Sequence, residues 1–395
     1  MNCSRAISAE IPHFDLFFCA NLLHTASAVP GYLLPDSDTM AIRLKDLAHH
    51  LNLSVSTISA ALQNRGDISE ATRLRVFAAV KKFGYHPNSL ARSLVTRKTN
   101  VLGVLVPDLS RSFFAEVIKG IDSVTSPAGY NLLVCNTEEN ATREEEMLRM
   151  LLSNQVDGVL LASAHEPTDT AWRKTLVGLS VPIVLIDRRL PGLNFVGGDD
   201  TGIGFEATHH LYDQGYRRIA HISGPRTVTT AVGRLSGYRR ALVALALPAD
   251  DALVIESHYH EESGGYEAMQ RLLKLPKPPD AVFAASDPIA IGALQAALEA
   301  NLNLPADFGL IGVGNHRYGR FLRVPLSTMD QQRSQIGHLA ANLLFELMEK
   351  KPSRSKSILT EPKLVVRDST NRGGLSERPT AVGDNKRSVK HAARR

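Results

Sequence analysis

Short, uniformly apolar segments alternate with amphipathic segments of helical period from residue 101 onward, and this alternation restricts the fold more than any other feature. Val101–Val106 and Ile183–Ile186 are of the first kind, and Phe114–Val124 is of the second. Strands that are apolar along their whole length belong to parallel sheets whose two faces are covered by helices. The series is long enough for two sheets, with a division near residues 190–200. We therefore predict an α/β body of two lobes, each a doubly wound parallel sheet.

The carboxyl ends of the strands predict where such a body binds a small molecule. Further strands are predicted at Asn131–Cys135, Gly158–Ala162, Ile219–Ile222, Ala281–Ala284 and Leu310–Val313. In doubly wound folds, ligands bind in the cleft outside the carboxyl ends of the strands. Ser286 and Asp287, which follow one of these strands, are therefore predicted to contact a ligand.

Basic residues are concentrated ahead of this body. Residues 40–100 contain ten lysine or arginine residues against three acidic ones, a net charge of +7 in a chain whose total is +5. Residues 101–366 carry a net charge of −4. A short basic module joined to a mildly acidic larger one indicates a nucleic-acid-binding head on a body with another task.

The basic segment has the periodicity of short helices. Leu44, Leu47, Ala48 and Leu51 recur at helical spacing and form one apolar stripe. Asn52 then breaks the pattern, and asparagine is one of the few residues that tolerates a left-handed turn. A first helix followed by a tight turn is therefore predicted here.

Residues that commonly cap helices bound the second and third helices. Ser54 is predicted to cap a helix over Val55–Gln63, and Ser69 a third helix that ends at Gly84. Three short helices with a tight turn between the first two predict a helix-turn-helix. A three-helix bundle without a DNA role is the alternative, but it does not explain why the exposed face lacks acidic residues.

The two ends of the chain are not predicted to fold. Residues 1–39 are expected to be a disordered or non-native extension ahead of Met40, and residues 370–395 a disordered basic tail. No segment reaches the roughly 18 apolar residues that span a bilayer. The three cysteines are scattered and exclude a disulfide framework. We expect a cytoplasmic protein without a membrane partner.

Eight segments resemble, in the same order, the lactose-repressor (LacI-type) family of bacterial transcriptional regulators. They are Leu44–Asn64, Ile68–Arg73, Phe83–Leu94, Leu102–Asp108, Val156–Leu161, Val181–Asp187, His221–Pro225 and Leu364–Ser369. The resemblance implies a helix-turn-helix head at 40–86, a hinge helix and linker at 87–100, and a periplasmic-binding-protein-like effector and dimerisation domain at 101–369. It further implies a nucleoid-associated homodimer on pseudo-palindromic operator DNA, switched by a small effector of carbohydrate type, with no cofactor, metal or catalysis.

The same resemblance assigns residues of the head to DNA. Val55, Ser56 and Ala60 are expected to face base edges in the major groove. Four polar residues are expected to cap the helix and to contact phosphates. For Ser54 and Thr57, pure helix capping is the alternative. These four are Ser54, Thr57, Ser59 and Asn64.

The resemblance also implies a hinge helix over residues 88–95. Asn88 is expected to cap it, Ala91 to pack against the hinge of a second chain, and Arg92 to lie near phosphate. Leu94 is expected to wedge between base pairs and kink the duplex in the minor groove. A plain linker is the alternative reading of this segment.

In the body, Asp187, Arg234 and Gln331 match family positions that line the effector cleft, and Phe114 is expected beside them. A guanidinium offers a fork of donors, and a carboxylate accepts from hydroxyl groups. Asn315 stands where the family usually has an acid, so it is expected to replace that acceptor in part.

One alternative remains for Asp187, and two other motifs are interpreted as structural. Asp187 could instead form a salt bridge between the lobes with Arg188 or Arg189. The sequence Gly202–Ala207 fits a dinucleotide fingerprint, but its distance from the nearest strand favours a helix start. The histidines and acids of His258–Glu262 are interpreted as a polar loop at the mouth of the cleft.

Two other functions share parts of this pattern. A solute-binding protein of a sugar transporter has the same two-lobed body, but it predicts a cleavable signal and no basic head. A sugar-metabolising enzyme needs a catalytic pair or nucleotide site, and neither GxSxG nor GxxxxGK[ST] occurs. A ligand-switched transcriptional repressor is the function that the sequence favours.

Overall fold

The fold was analysed in a computed structural model, which describes residues 42–62, 66–85, 98–258, 261–350 and 354–372. The chain divides into two compact units, Met1–Ser89 and Leu90–Arg395. We refer to the described part of the first unit as the head and that of the second as the body.

The head consists of three helices, α1 (Leu44–Leu51), α2 (Val55–Leu62) and α3 (Glu70–Phe83). The caps confirm the predicted end of α1, start of α2 and both ends of α3, whereas the predicted end of α2 at Gln63 lies outside the described residues. Asn52 adopts the left-handed conformation with φ 54°, the Ser54 hydroxyl accepts from the Thr57 amide at 3.0 Å, and Gly84 ends α3 at φ 59°. The fully buried side chains of Leu47, Ile58 and Val76 form the centre of its core.

The body contains two six-stranded sheets. In the first, all neighbouring strands are parallel, in the order β2-β1-β3-β4-β5-β11. Its strands are β1 (Val101–Val106), β2 (Asn131–Asn136), β3 (Gly158–Leu161), β4 (Ile183–Ile186), β5 (Phe195–Gly198) and β11 (Ser357–Thr360).

The second sheet has the order β7-β6-β8-β9-β10-β12, and it is parallel except for the edge strand β12, which pairs antiparallel with β10. Its strands are β6 (Ile219–Ser223), β7 (Val254–Glu256), β8 (Ala281–Ala284), β9 (Gly309–Val313), β10 (Ser327–Asp330) and β12 (Lys363–Val365). Two doubly wound sheets were predicted, and the antiparallel edge strand is a correction to that prediction.

Helices cover both faces of each sheet. They are α4 (Ser112–Thr125), α5 (Ala141–Ser153), α6 (Thr170–Val177), α7 (Asp200–Asp213), α8 (Thr229–Ala244), α9 (Glu262–Leu273), α10 (Asp287–Glu299) and α11 (Arg333–Glu349). Buried side chains such as Val104, Phe114 and Val184 fill the space between the first sheet and its helices. The Gly202–Ala207 segment lies within α7, as the helix-start interpretation predicted, and Asp199 caps that helix through the Gly202 amide.

Within the described residues, the chain crosses between the lobes three times. The first crossing, between β5 and α7, lies at the predicted division. The sequence did not predict the other two. After β10 the chain returns to the first lobe, where α11 packs on α4 and β11 pairs with β5, and it then crosses back to β12. Gln331 and Gln332 form the second crossing.

The ordered part of the body extends beyond the predicted end at residue 369. Thr370 is fully buried, and its hydroxyl lies 2.8 Å from His210 Nε2 and 2.7 Å from the Ser327 hydroxyl. The Arg372 guanidinium donates to the carbonyls of Pro305 and Ala306. The prediction of a disordered tail from residue 370 is therefore wrong for residues 370–372, because the side chains of Thr370 and Arg372 form hydrogen bonds with the second lobe.

Helices α7 and α8 approach each other through glycine. A methyl group added to Gly237 would lie 2.1 Å from the Thr201 carbonyl oxygen, and one added to Gly204 would lie 2.0 Å from that of Arg234. Only hydrogen fits at these positions, and the contact determines how far α8 stands from α7. Arg234 is carried by this part of α8.

Replacement of Gly237 by alanine is expected to lower the free energy of unfolding by about 1–3 kcal/mol, because the backbones of both helices must move to admit the methyl group. Urea unfolding measures this loss. Gly178→Ala is the matched control, since its added methyl group would meet atoms no closer than 3.4 Å. An equal loss in both variants would show that the close approach carries no cost.

Among the residues that the structure describes, no helix is both long enough and apolar enough to cross a membrane.

Candidate functional site

A cavity of about 230 Å³ lies between the two lobes of the body. Its walls come from segments that follow strands of both sheets, which is the place predicted for a ligand. The lining residues are Ser110, Arg111, Ser112, Phe113, Phe114, Asp187, Arg188, Val228, Thr230, Arg234, Glu262, Ser286, Pro288, Val313, Gly314, His316, Tyr318 and Gln331. We call this space the interlobe cavity.

Five of the seven residues predicted for effector binding line the interlobe cavity. They are Phe114, Asp187, Arg234, Ser286 and Gln331. The first two belong to the first lobe, Arg234 and Ser286 to the second, and Gln331 to a crossing between them. The fold therefore brings these residues, which are far apart in the sequence, to one space.

Asp187 directly follows β4 in the left-handed conformation, with φ 63°. Burial raises the pKa of its carboxyl group, although Arg188 and Arg234 oppose the rise. The predicted alternative, a salt bridge with Arg188 or Arg189, is not formed within the described residues. Arg188 instead pairs with both oxygens of Glu139 at 2.6 Å. The Asp187 carboxylate is thus available to accept hydrogen bonds from a ligand.

Arg234 is almost fully buried and is held by its own lobe. Its Nε lies 2.9 Å from Asp200 Oδ1, and its Nη1 donates to the Ala285 carbonyl at 2.6 Å. Burial raises the pKa of the Asp200 carboxyl group to about 7, although Arg234 opposes the rise. These contacts hold the guanidinium in one orientation at the cavity wall.

Asp287 and Asn315 do not line the cavity, and the prediction that they do is corrected. The Asp287 carboxylate is buried and accepts from the His316 amide and the Thr328 hydroxyl, each at 2.7 Å. The Asn315 side chain donates to Asp330 at 3.0 Å and accepts from Arg367 at 2.6 Å. Both side chains are used to hold the turn after β9.

The sequence prediction missed several polar and aromatic residues of the cavity wall. Arg111 and Arg188 follow β1 and β4, and His316 and Tyr318 follow β9, so their positions after strand ends were a usable signal. The His316 Nδ1 lies 2.9 Å from the Tyr318 hydroxyl, and burial lowers the pKa of this imidazole. Glu262, which was predicted to lie in a polar loop, is instead the first residue of α9, and it also lines the cavity.

The start of α2 presents hydroxyl groups and an exposed valine. The Ser54 hydroxyl lies 2.7 Å from that of Ser56 and 2.8 Å from that of Thr57, so helix capping explains the positions of Ser54 and Thr57 by itself. Val55 is 40% exposed, as a residue that faces a groove must be.

Ala60 was predicted on the exposed side of α2, but it is only 9% exposed. Its side chain is a single methyl group and extends little beyond the helix backbone. Ser59 is half-buried. The other predicted DNA-binding residues, Asn64, Asn88, Ala91, Arg92 and Leu94, lie outside the described residues.

A three-helix head with a tight turn after its first helix, joined to a two-lobed body with a cavity between its sheets, defines a ligand-responsive DNA-binding regulator. Comparison with known proteins agrees with this class. The model of the lacI family of bacterial regulatory proteins matches residues 43–88, and the model of the periplasmic binding protein-like domain matches residues 208–370.

Individual relatives match most of the chain. The HTH-type transcriptional repressor CytR of Escherichia coli (strain K12) is 34% identical over 332 residues, which cover 84% of this chain and 96% of CytR. The ribose operon repressor of Halalkalibacterium halodurans is 32% identical over 335 residues, or 85% of this chain and 98% of that protein. The chain belongs to the lacI family of bacterial regulatory proteins.

Solved structures support the same assignment. A complex of the transcriptional regulator CelR with cellobiose is similar with a TM-score of 0.64 and 28% identity, over 83% of this chain and 99% of that one. The lac repressor dimer bound to operator and the anti-inducer ONPF has a TM-score of 0.78 over 84% of this chain and 99% of that one, at 22% identity. The resemblance and the fold class predicted from the sequence are confirmed.

Proposed function

We propose that this protein is a homodimeric, cytoplasmic transcriptional repressor whose affinity for a pseudo-palindromic operator changes when a small sugar or sugar derivative binds in the interlobe cavity. The observation that carries the proposal is the cavity itself. It is bounded by segments of both lobes, in a chain that also has a helix-turn-helix head. The names of the relatives, which are repressors, support the direction of regulation.

The cavity wall has the groups that a hydroxyl-rich ligand needs. Asp187 supplies an acceptor, the Arg234 guanidinium supplies donors, and Gln331 supplies both. Phe114 and Tyr318 provide apolar faces against which a sugar ring can pack. We assign Asp187 and Arg234 the main polar contacts because they approach from opposite lobes.

Binding at such a place biases the orientation of the lobes. A ligand held by both lobes favours the arrangement in which both sets of contacts are made. The body begins at a firm attachment, since the amides of Thr99 and Asn100 donate to the two oxygens of Asp157 at 3.0 and 2.9 Å. A movement of the first lobe is thereby passed to the chain that leads to the head.

In the head, we assign base-edge contacts to Val55 and Ser56, and phosphate contacts to Ser54, Thr57 and Ser59. Asn64, Asn88, Ala91, Arg92 and Leu94 keep the roles that the family resemblance implies, whereas the buried Ala60 is assigned no base contact. Leu94, as a wedge, requires a flexible pyrimidine–purine step at the operator centre.

Selection of binding sites from random duplex DNA tests the proposal. The full chain is expected to recover a pseudo-palindrome with a pyrimidine–purine step at its centre. Candidate effectors are then tested for their influence on binding to the selected site. Ribose and cellobiose, the sugars in the names of the relatives, are tested first. Binding that depends on salt but not on DNA sequence, with and without the candidate effectors, would contradict the repressor function. It would favour a solute-binding body instead, and turnover of a bound sugar would indicate an enzyme.

A further inference from the structure

Every arginine of the interlobe cavity wall is paired with a carboxylate that stands behind it. Arg234 pairs with Asp200, and Arg111 with Asp108 at 3.3 Å. Arg111 and Arg188 also share Glu139, which does not line this cavity. Its Oε1 lies 2.5 Å from Arg111 Nη2 and 2.6 Å from Arg188 Nη2. One carboxylate therefore contacts both arginines, and it is the carboxylate that Arg188 contacts through both terminal nitrogens.

The backbone at Glu139 is strained. Glu138 and Glu139 both adopt the left-handed conformation, with φ 54° and 55°. The left-handed conformation is unfavourable for a non-glycine residue because its Cβ approaches the following carbonyl oxygen. Strain of this kind persists where the surrounding structure requires it, and it is often found at functional sites. Here it places the Glu139 carboxylate between the two guanidinium groups.

The two guanidinium groups that Glu139 contacts are shielded from solvent, which strengthens the effect of its carboxylate. The Arg188 side chain is 8% exposed and that of Arg111 is 13% exposed, so their charges are poorly screened by water. Burial lowers the pKa of the Arg111 guanidinium, and Glu139 opposes that change. Without Glu139, Arg111 would keep its contact with Asp108, whereas Arg188 would lose the carboxylate that both its terminal nitrogens contact. The positive charge left at this wall would attract an anion into the cleft.

We infer that Glu139 is a specificity-determining residue, whose carboxylate acts as a built-in counter-anion for Arg111 and Arg188 and makes the interlobe cavity select uncharged ligands over anionic ones. This inference rests on the proposed function, because the cavity is taken as the effector site. Glu139 acts through the two arginines and does not contact the ligand.

A route for an anion to this position exists. A second cavity, of about 360 Å³, lies on the other side of Arg188 and is lined by Glu139, Arg188 and Arg189, together with Thr227 and Thr229 of the second lobe. If the Glu139 side chain is removed, an ion that enters this cavity reaches the guanidinium groups directly.

The experiment compares Glu139→Gly with Glu138→Gly. Glycine relieves the left-handed strain equally at both positions. Glu138 pairs with Arg143 at 2.8 Å, where the side chains are 60% and 40% exposed, so its loss leaves the cavity unchanged. Inorganic phosphate is titrated against the full chain at constant ionic strength, with chloride as the reference, and the thermal midpoint is recorded.

Saturating phosphate is expected to raise the Tm of Glu139→Gly by about 5 °C, and that of the wild type and of Glu138→Gly by less than about 1 °C. Adding Arg188→Gln to Glu139→Gly is expected to abolish the gain. Equal binding of phosphate by the wild type, or none by folded Glu139→Gly, would overturn the inference. Glu139→Gln, which keeps the side-chain volume and one acceptor, is measured in the same way.

Failure of both Glu139 variants to fold even in phosphate would also count against the inference, because the anion is expected to replace the carboxylate. The titration contains neither DNA nor effector. Its outcome is therefore separate from operator binding, and a failure here can be distinguished from a failure of the repressor proposal.

Discussion

Arg234→Gln is expected to lower the free energy of unfolding by about 3–5 kcal/mol at pH 8, since it leaves the Asp200 carboxylate buried without its cationic partner. The two side chains are 5% and 14% exposed. The variant also loses the hydrogen bond to the Ala285 carbonyl, and this contribution to the loss of stability does not depend on pH. Urea unfolding of the full chain measures the loss.

The pH dependence identifies the cause. The pKa of Asp200 is already raised to about 7 with Arg234 in place, and removal of the cation raises it further. In the variant, Asp200 therefore binds a proton when the pH falls from 8 to 6, which removes the unpaired charge. The difference in stability from the wild type is expected to shrink over this range.

Asp200→Asn in the Arg234→Gln background is the matched control. Because it replaces the carboxylate by a neutral group of similar shape, it is expected to recover at least half of the stability lost at pH 8. An equal deficit at pH 8 and pH 6, with no recovery in the double variant, would show that the Asp200 charge is not responsible.

Acidification is expected to lower the stability of the fold because of the buried imidazole of His221. His221 is fully buried in β6, where its ring stacks on Phe283 with centroids 4.5 Å apart and its Nδ1 lies 2.9 Å from the Phe283 carbonyl oxygen. Burial lowers the pKa of this imidazole to about 4 from its ordinary 6.5. The folded state therefore keeps the ring neutral at a pH where the unfolded chain takes up a proton.

The difference in the pKa of His221 between the folded and unfolded states determines how stability changes with pH. Since the unfolded state binds the additional proton, the stability present above pH 6.5 is lost as the pH falls towards 4. The loss from His221 amounts to about 2 kcal/mol at pH 5 and about 3 kcal/mol at pH 4. His210 and His316 act in the same direction, because burial lowers their pKa values too.

His221→Gln isolates the contribution of this one ring. Between pH 7 and pH 5, the variant is expected to lose about 2 kcal/mol less stability than the wild type. His338→Gln serves as the control, since that side chain is exposed and is expected to keep the wild-type slope. The same slope in His221→Gln and in the wild type would contradict the assignment.

Patterns of neighbouring residues in the sequence were sufficient to predict most of the secondary-structure elements. Val101–Val106, Ile183–Ile186 and Ala281–Ala284 are strands with the predicted bounds, because a strand buried on both faces must be apolar at every residue. The caps at Ser54, Ser69 and Gly84 were equally readable, since capping depends on residues within one turn.

The candidate site was predictable only in part. Asp187 and Arg234 stand at positions that the family resemblance identified, and both line the cavity. Asn315 and Asp287 lie within two residues of strand or helix ends, yet they face away from it. Asn315 is held by Arg367 and Asp330, and Asp287 is held by Thr328. These partners are distant in the sequence, so the orientation of the two side chains could not be predicted from it.

The amino-acid sequence by itself determined the classes of element, the basic head, the two sheets and the edge at which the interlobe cavity lies. This was possible because buried residues recur with the period of each element and because the charge is unevenly distributed along the chain. Only the tertiary structure decided that α11 and β11 return to the first lobe. It also decided that Gln331 occupies a crossing and that Glu139 contacts two arginines. These features depend on which distant groups meet, and a buried polar side chain takes the partner that the packing brings within hydrogen-bond distance.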